Sequence, residues 1–185
     1  MEAKMMKDKV ITVPNVLSLF RVCLIPLIAW SYLCTENTLW AGNLLILSGL
    51  TDIADGFIAR KYHMISDLGK ILDPVADKLT QATMLVCLLL QYPLMRLPFL
   101  LLIIKEVFMG ITGWLVIRKT GNVYGANWHG KAATIMLYAM MILHVFWQDI
   151  PSSFSCFTIV VSSGMILLSF VLYGIRNIRV LKGIM

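Results

Sequence analysis

Six long apolar segments alternate with short polar connections along the chain. Each approaches the roughly 20 residues that an α-helix needs to cross the hydrocarbon core of a bilayer. Turn-forming residues such as Pro93, Gly121 and Pro151 stand between neighbouring segments. The segments cover approximately residues 14–33, 38–59, 71–91, 97–117, 131–148 and 156–176. The pattern predicts an all-α integral membrane protein with six transmembrane helices.

Composition supports a membrane environment, because 59% of the 185 residues are hydrophobic and only 14% are charged. A water-soluble protein of this size would lack the polar residues to cover its surface. The segments leave no room for a separate soluble domain, so we expect a single membrane domain over residues 1–185. Residues 1–13 are expected to form a cytoplasmic juxtamembrane segment, either an amphipathic interfacial helix or a disordered tail.

Basic residues predict the orientation of the chain. They fall at the two termini and after even-numbered segments, whereas the opposite side has only Arg96: Lys4, Lys7, Lys9, Arg60, Lys61, Lys70, Arg118, Lys119, Lys131, Arg176, Arg179 and Lys182. The positive-inside rule then places both termini in the cytoplasm. The formal net charge of +6 suits anionic lipid headgroups, and we expect no nucleic-acid partner.

Acidic residues concentrate between residues 52 and 77, where five of the ten occur. Asp52 and Asp55 are three apart near the cytoplasmic end of the second segment, and Asp73 and Asp77 are four apart near the start of the third. On a helix each pair shares one face. Two antiparallel helices would bring the pairs together, with the fifth residue, Asp67, in the loop between them.

Four converging carboxylates at the edge of a bilayer are costly unless cations or protons compensate their charge. Oxygen-only ligands favour Mg²⁺ or Mn²⁺, and four carboxylates can bridge two such ions. We therefore predict a site for two divalent cations and a diphosphate ligand at the cytoplasmic interface. The alternative is that the aspartates are solvated charges or partners of nearby basic residues: Arg60, Lys61, Lys70 and Lys78.

The neighbours of the aspartates suit a bulky ligand. Gly56 and Ala59 leave the helix face open, and Gly69 precedes Asp73 by one turn. Arg60 carries a guanidinium that suits a phosphate or a nucleotide edge.

The complete pattern reads Asp52-x-x-Asp55-Gly56-x-x-Ala59-Arg60, eight residues, then Gly69-x-x-x-Asp73-x-x-x-Asp77. It resembles the signature of the CDP-alcohol phosphotransferase family at every motif position. The stretch 14-PNVLSLFR-21 followed by Pro26 is similar to the opening of the family's first transmembrane helix. Six spans are the family's usual number, and the last three spans resemble it in outline.

The resemblance implies an integral membrane homodimer that transfers a substituted phosphate from a CDP-linked donor to an alcohol and releases CMP. It implies four metal-binding aspartates, of which Asp77 also acts as the base on the acceptor hydroxyl: Asp52, Asp55, Asp73 and Asp77. It further implies that four other motif residues surround the cytidine diphosphate: Gly56, Ala59, Arg60 and Gly69.

Within the family, the compact chain and its N-terminal region resemble bacterial phosphatidylglycerophosphate synthases and the related cardiolipin synthases. The resemblance implies CDP-diacylglycerol as donor and a bacterial cytoplasmic membrane as location. We expect glycerol 3-phosphate as acceptor, with phosphatidylglycerol, serine and inositol phosphate as alternatives.

A phosphorylated acceptor requires cationic residues beside the metal ions. Arg118 and Lys131 are the first candidates and Lys119 the second, although each also fits a cytoplasmic anchor. Arg21, two turns into the first segment, is expected to pair with an aspartate or to contact the acceptor.

Two other polar sites have more than one interpretation. Lys105 and Glu106 are expected to form an internal ion pair or to line a cavity. His129 is expected to lie in a loop, with contact to the substrate as the alternative.

Two other classes of protein use carboxylates in membranes. Membrane prenyltransferases carry two aspartate-rich motifs, but these lie on distant helices and such enzymes have more spans. An ion-coupled transporter would use the aspartates as cation sites, but it would not need the Gly56, Ala59 and Arg60 spacing.

Overall fold

A computed structural model describes residues 12–35, 38–62, 69–121 and 127–183. The described residues form six α-helices and a single turn of 3₁₀-helix at Pro93–Met95. The α-helices are α1 (Val13–Cys34), α2 (Thr38–Lys61), α3 (Gly69–Gln91), α4 (Arg96–Thr120), α5 (Trp128–Phe146) and α6 (Ser152–Leu181). The chain divides into two compact units at Cys87, within α3, with α1 and α2 in the first and α4 to α6 in the second.

The six helices coincide with the six predicted apolar segments, so the all-α prediction is confirmed. Among the described residues, five helices are long and apolar enough to cross a membrane: α1, α2, α4 with the preceding 3₁₀ turn, α5 and α6. Helix α3 is not one of the five, since charged and polar residues occupy its N-terminal half: Asp73, Asp77, Lys78, Thr80 and Gln81. A transmembrane position for α3 stays a prediction.

Helix α1 shows that polarity is inverted relative to a soluble protein. Its exposed side carries large apolar side chains, among them Phe20, Leu27 and Trp30, whereas its buried side includes Ser18 and Arg21. An apolar exterior around a polar interior is favourable only where lipid is the solvent. The protein is therefore an integral membrane protein.

The N-terminus of α1 is set by local chemistry. Thr12 has an extended backbone, and its Oγ1 accepts a hydrogen bond from the Asn15 N–H at 3.4 Å. Pro14 follows in the first turn, where a missing N–H removes no helical hydrogen bond. From this start α1 packs against α2, so that its polar stripe lies inside the first unit.

In the second unit, α6 packs against both α4 and α5. Its buried face is rich in serine, which lets helix backbones approach closely in a membrane: Ser155, Ser162, Ser163 and Ser169. Helix α4 ends at Thr120 and is capped by Gly121, whose φ of 67° is left-handed and whose N–H donates to Ile117 O at 2.8 Å.

Three predictions about the whole chain stay open. The described part of the chain begins at Thr12, so nearly all of the juxtamembrane segment at residues 1–13 lies outside it. The single-domain organisation and the cytoplasmic termini also stay predictions.

Candidate active site

The four motif aspartates lie near the end of one helix and the start of the next. Asp52 and Asp55 are in the last three turns of α2, and Asp73 and Asp77 are in the first three turns of α3. Both α3 charges act electrostatically on Asp52, and the charge of Asp73 also acts on Asp55. The two carboxylate pairs therefore form one acidic cluster.

Arg21 of α1 lies against this cluster. Its side chain is completely buried, with Nη1 2.6 Å from Asp52 Oδ1 and Nη2 donating a hydrogen bond to Asp55 Oδ2. Of these partners, Asp55 is almost fully buried and Asp52 is 44% exposed. Arg21 was expected to pair with an aspartate or to contact the acceptor, and the structure shows it paired with aspartates.

Ser18 adds a second contact from α1. Its Oγ lies within hydrogen-bond distance of Asp73 Oδ1, and it is also 2.9 Å from Pro14 O, the i−4 carbonyl. Sequence reasoning missed Ser18, although a signal existed. Asn15, Ser18 and Arg21 recur every three residues in an otherwise apolar segment, which places them on one helix face.

Asp77 is held by residues of its own helix. Gln81, one turn later and completely buried, donates a hydrogen bond from Nε2 to Asp77 Oδ2 at 2.8 Å. Lys78 Nζ lies 3.4 Å from the same oxygen. Gln81 was also missed, and its i+4 spacing from Asp77 was the available signal.

The donor set of the cluster consists of carboxylate oxygens alone, which is the chemistry that Mg²⁺ and Mn²⁺ prefer. Among the described side chains, no group of three or more His, Cys, Asp or Glu residues is arranged to hold a metal ion. Contacts from α1 occupy most of these carboxylates. Arg21 holds Asp52 and Asp55, and Ser18 holds Asp73, so three of the four predicted ligands face α1.

Small residues accompany the aspartates as the motif requires. Gly56 and Ala59 are partly exposed on α2, and Gly69 is the buried first residue of α3. The side chain of Arg60 lies outside the part of the chain that the structure describes. The predicted contacts of these four residues with a nucleotide stay predictions.

The cations proposed for the acceptor belong to the second unit. Arg118 is exposed at the end of α4, with its guanidinium 4.6 Å from the centre of the Trp114 ring, and Lys131 is exposed in the first turn of α5. Lys119 instead donates a hydrogen bond from Nζ to Leu181 O. Acceptor binding by Arg118 and Lys131 stays a prediction.

Lys105 and His129 are both buried in the second unit. Lys105 Nζ lies 3.1 Å from Glu106 Oε1, the ion pair that was one of the two expectations. The loop position expected for His129 is wrong. Helix α5 starts at Trp128, three residues before the predicted span, and His129 Nδ1 lies 3.3 Å from Ser169 Oγ.

Comparison with known proteins agrees with the motif. The family model described as CDP-alcohol phosphatidyltransferase matches residues 11–174. This range includes the acidic cluster and five complete helices, and it extends into α6.

Three relatives illustrate the range of similar enzymes. A cardiolipin synthase (CMP-forming) from Streptomyces coelicolor is 35% identical over 148 residues, which are 77% of this chain and 69% of the relative. The CDP-diacylglycerol–glycerol-3-phosphate 3-phosphatidyltransferase of Bacillus subtilis is 34% identical over 149 residues, covering 71% and 76% of the two chains. The enzyme of the same name from Rickettsia bellii is 36% identical over 109 residues, covering 57% and 60%.

The aligned region thus spans between 60% and 76% of the length of these relatives. The family model, by contrast, covers most of this chain, and it includes every aspartate of the acidic cluster. The protein is therefore a membrane enzyme of the CDP-alcohol phosphatidyltransferase family.

Proposed function

We propose that the protein transfers a phosphatidyl group from CDP-diacylglycerol to an alcohol acceptor with release of CMP. The observation that carries this proposal is the acidic cluster, in which four aspartates at the family spacing act electrostatically on one another from the end of α2 and the start of α3. Relatives whose names include CDP-diacylglycerol support the choice of donor. Neither a prenyltransferase nor an ion-coupled transporter accounts for the match to the family.

Two divalent cations, Mg²⁺ or Mn²⁺, are the cofactors that the cluster would hold through Asp52, Asp55, Asp73 and Asp77. When bound, they neutralise the diphosphate and the charge that develops on departing CMP. Gly56, Ala59 and Gly69 leave room for the cytidine diphosphate, and Arg60 is the cation assigned to it. The acyl chains of the donor remain in the bilayer.

Asp77 is the base that takes the proton of the acceptor hydroxyl. Its hydrogen bond from Gln81 and its ion pair with Lys78 orient the carboxylate, and a general base must be positioned before it can accelerate proton transfer. Asp55 is less suited to this role because its carboxylate is almost fully buried and is occupied by Arg21.

Glycerol 3-phosphate is the acceptor that we favour, with Arg118 and Lys131 binding its phosphate. Two of the three relatives described above have names that include this acceptor. The second candidate is phosphatidylglycerol, which would give cardiolipin, because the Streptomyces relative is a cardiolipin synthase. Serine and inositol phosphate are further acceptors to compare.

We assign the enzyme to the bacterial cytoplasmic membrane as a homodimer with six spans. Both termini and the acidic cluster would face the cytoplasm, since basic residues concentrate on that side.

Release of CMP tests the proposal. Purified enzyme in lipid nanodiscs with Mn²⁺ or Mg²⁺ and CDP-diacylglycerol would be given glycerol 3-phosphate, phosphatidylglycerol, serine, inositol or inositol phosphate in separate reactions. Glycerol 3-phosphate should release CMP fastest, and Asp77→Asn should slow release by about 10²- to 10⁴-fold, the usual contribution of a general base.

Asp67→Asn is the matched control, because it removes the acidic residue of the same stretch that falls outside the motif. It should release CMP at the wild-type rate. The proposal would be wrong if no acceptor yielded CMP, and the role of Asp77 would be wrong if Asp77→Asn kept full activity.

A further inference from the structure

Arg21 is a positive charge placed inside the acidic cluster by a neighbouring helix. Its side chain is completely buried, and its guanidinium reaches the carboxylates of both Asp52 and Asp55. Several carboxylates at the edge of a bilayer repel one another and require positive charge nearby. Arg21 supplies positive charge to Asp52 and Asp55.

The guanidinium is only partly satisfied by hydrogen bonds. Arginine has five N–H donors, and in the described part of the chain Arg21 makes a hydrogen bond through Nη2 alone. Nη1 is close to Asp52 but lies outside hydrogen-bond geometry, and Nε has no partner among the described residues. A buried ion pair is most favourable when hydrogen bonds satisfy all of its remaining donors, and Nε of Arg21 has none among the described residues.

Ser18 extends the contact of α1 to the other helix of the cluster. Its hydroxyl contacts Asp73, so α1 engages three of the four carboxylates assigned to the metal ions. A divalent cation would take over those oxygens. It would also repel a guanidinium a few ångströms away, and this repulsion is strong where little water screens it.

We propose that Arg21 is a resident counter-cation that pairs with Asp52 and Asp55 in the absence of metal and is displaced when a divalent cation binds. The inference rests on the proposed function, because it concerns the metal ions of that reaction. Arg21 is then a positioning residue. When a metal ion binds, Arg21 releases Asp52 and Asp55, and the contacts between α1 and α2 change.

Mn²⁺ binding measured directly tests the inference without any turnover. Free Mn²⁺ would be titrated by electron paramagnetic resonance against the full-length protein in nanodiscs. Arg21→Gln should bind Mn²⁺ about tenfold more tightly or better, because the competing charge is gone. Arg179→Gln, which removes an exposed cation near the end of α6, should bind Mn²⁺ as the wild type does.

Thermal unfolding supplies a second measurement. Without metal, Arg21→Gln should unfold at a lower temperature than the wild type, since its carboxylates lack a counter-charge, and Mn²⁺ should raise its midpoint by more than it raises that of the wild type. Arg21→Gln/Asp55→Asn removes one charge of each sign, so it should recover part of the lost metal-free stability.

The outcomes separate the inference from the proposed function. A wild-type protein that binds no Mn²⁺ would overturn both. Equal or weaker Mn²⁺ binding by Arg21→Gln, beside normal wild-type binding, would overturn the inference alone. If Arg21→Gln does not fold, the double variant decides, because the inference requires it to be more stable than the single variant.

Discussion

Neighbouring cations at the end of α4 make different contacts. Arg118 is exposed and stacks over Trp114, so its charge remains available to an anion. Lys119 donates to the carbonyl oxygen of Leu181, the last residue of α6. The last carbonyls of a helix lack partners within the helix, and a lysine at this position stabilises them.

We therefore predict that the two residues affect different measurements. Arg118→Ala, and likewise Lys131→Ala, should raise the KM for glycerol 3-phosphate about tenfold, the loss of one charged hydrogen bond, and leave the KM for CDP-diacylglycerol nearly unchanged. Lys119→Ala should lower the thermal midpoint with both KM values intact. Arg179→Ala is the control for a general loss of positive charge. Unchanged acceptor kinetics in Arg118→Ala and Lys131→Ala would remove both residues from the acceptor site.

Side chains of the cluster differ in how well the sequence predicted them. The aspartates could be placed from spacing, because residues three and four apart share a helix face whatever the tertiary structure. The sequence could not show whether Arg21 pairs with an aspartate or contacts the acceptor, because the answer depends on how α1 packs against α2. Ser18 and Gln81 were missed because small or uncharged polar residues are common in membrane helices and rarely stand out.

Close packing at the start of α5 depends on the absence of a side chain at Gly130. A Cβ there would lie 2.9 Å from the Tyr173 ring carbon Cε2, closer than real Cβ contacts. The ring cannot easily move, because the Tyr173 hydroxyl accepts a hydrogen bond from Asn127 N at 2.9 Å. The opposing surfaces of α5 and α6 are thus fitted to each other at this point.

Gly130→Ala should destabilise the protein by about 1–3 kcal/mol through overpacking. Gly164→Ala is the matched control, because its Cβ would meet nothing within 4 Å and alanine favours a helix. Unfolding in nanodiscs or mixed micelles would measure both. Equal midpoints for the two variants would show that α6 can shift to accept the methyl group.

A histidine near the end of α5 joins this helix to the start of α6. His144 is buried, with Nδ1 2.8 Å from Met140 O and Nε2 2.9 Å from Ser155 Oγ. A carbonyl only accepts, so Nδ1 carries the proton and Ser155 donates to Nε2. This hydrogen bond links the end of α5 to the first turn of α6.

Removing this link should cost about 1 kcal/mol of unfolding free energy, a typical value for one interhelical hydrogen bond in a membrane protein. Ser155→Ala is the test, and Ser153→Ala, which changes an exposed serine two residues earlier, is the control. The same unfolding assay applies. A Ser155→Ala variant as stable as Ser153→Ala would contradict the role given to the hydrogen bond.

At the scale of elements, segment length and hydropathy were sufficient to predict all six helices. They were weaker at boundaries, as α5 shows, because His129 and Gly130 interrupt the apolar pattern directly after Trp128. They were also weaker for α3, whose polar first half reflects the chemistry that it contributes. A helix that supplies carboxylates to a site loses the uniform apolarity that marks a span.

For the whole molecule, the orientation in the membrane is the main prediction. With cytoplasmic termini, α1 would end outside and α2 would return to the cytoplasm. Single-cysteine proteins would be treated in intact cells with a membrane-impermeant maleimide. Cys34, exposed at the end of α1, should react, whereas Lys61→Cys in a background without native cysteines should react only after permeabilisation.

The opposite labelling pattern would show that the orientation is reversed and that the acidic cluster lies outside the cytoplasm. Labelling of both positions in intact cells would show that α2 does not cross the bilayer.

Arg21 also has a consequence for how the protein is made. It lies roughly 12 Å along α1 from Val13, deep enough that a lone arginine costs about 2.5–3.5 kcal/mol during insertion by the translocon. Its partners are on α2, which begins at Thr38, only a few residues after α1 ends at Cys34. The two helices are therefore suited to enter the lipid together as a hairpin. Pairing of Arg21 with the aspartates of α2 would then lower the free-energy cost of moving α1 from the translocon into the bilayer.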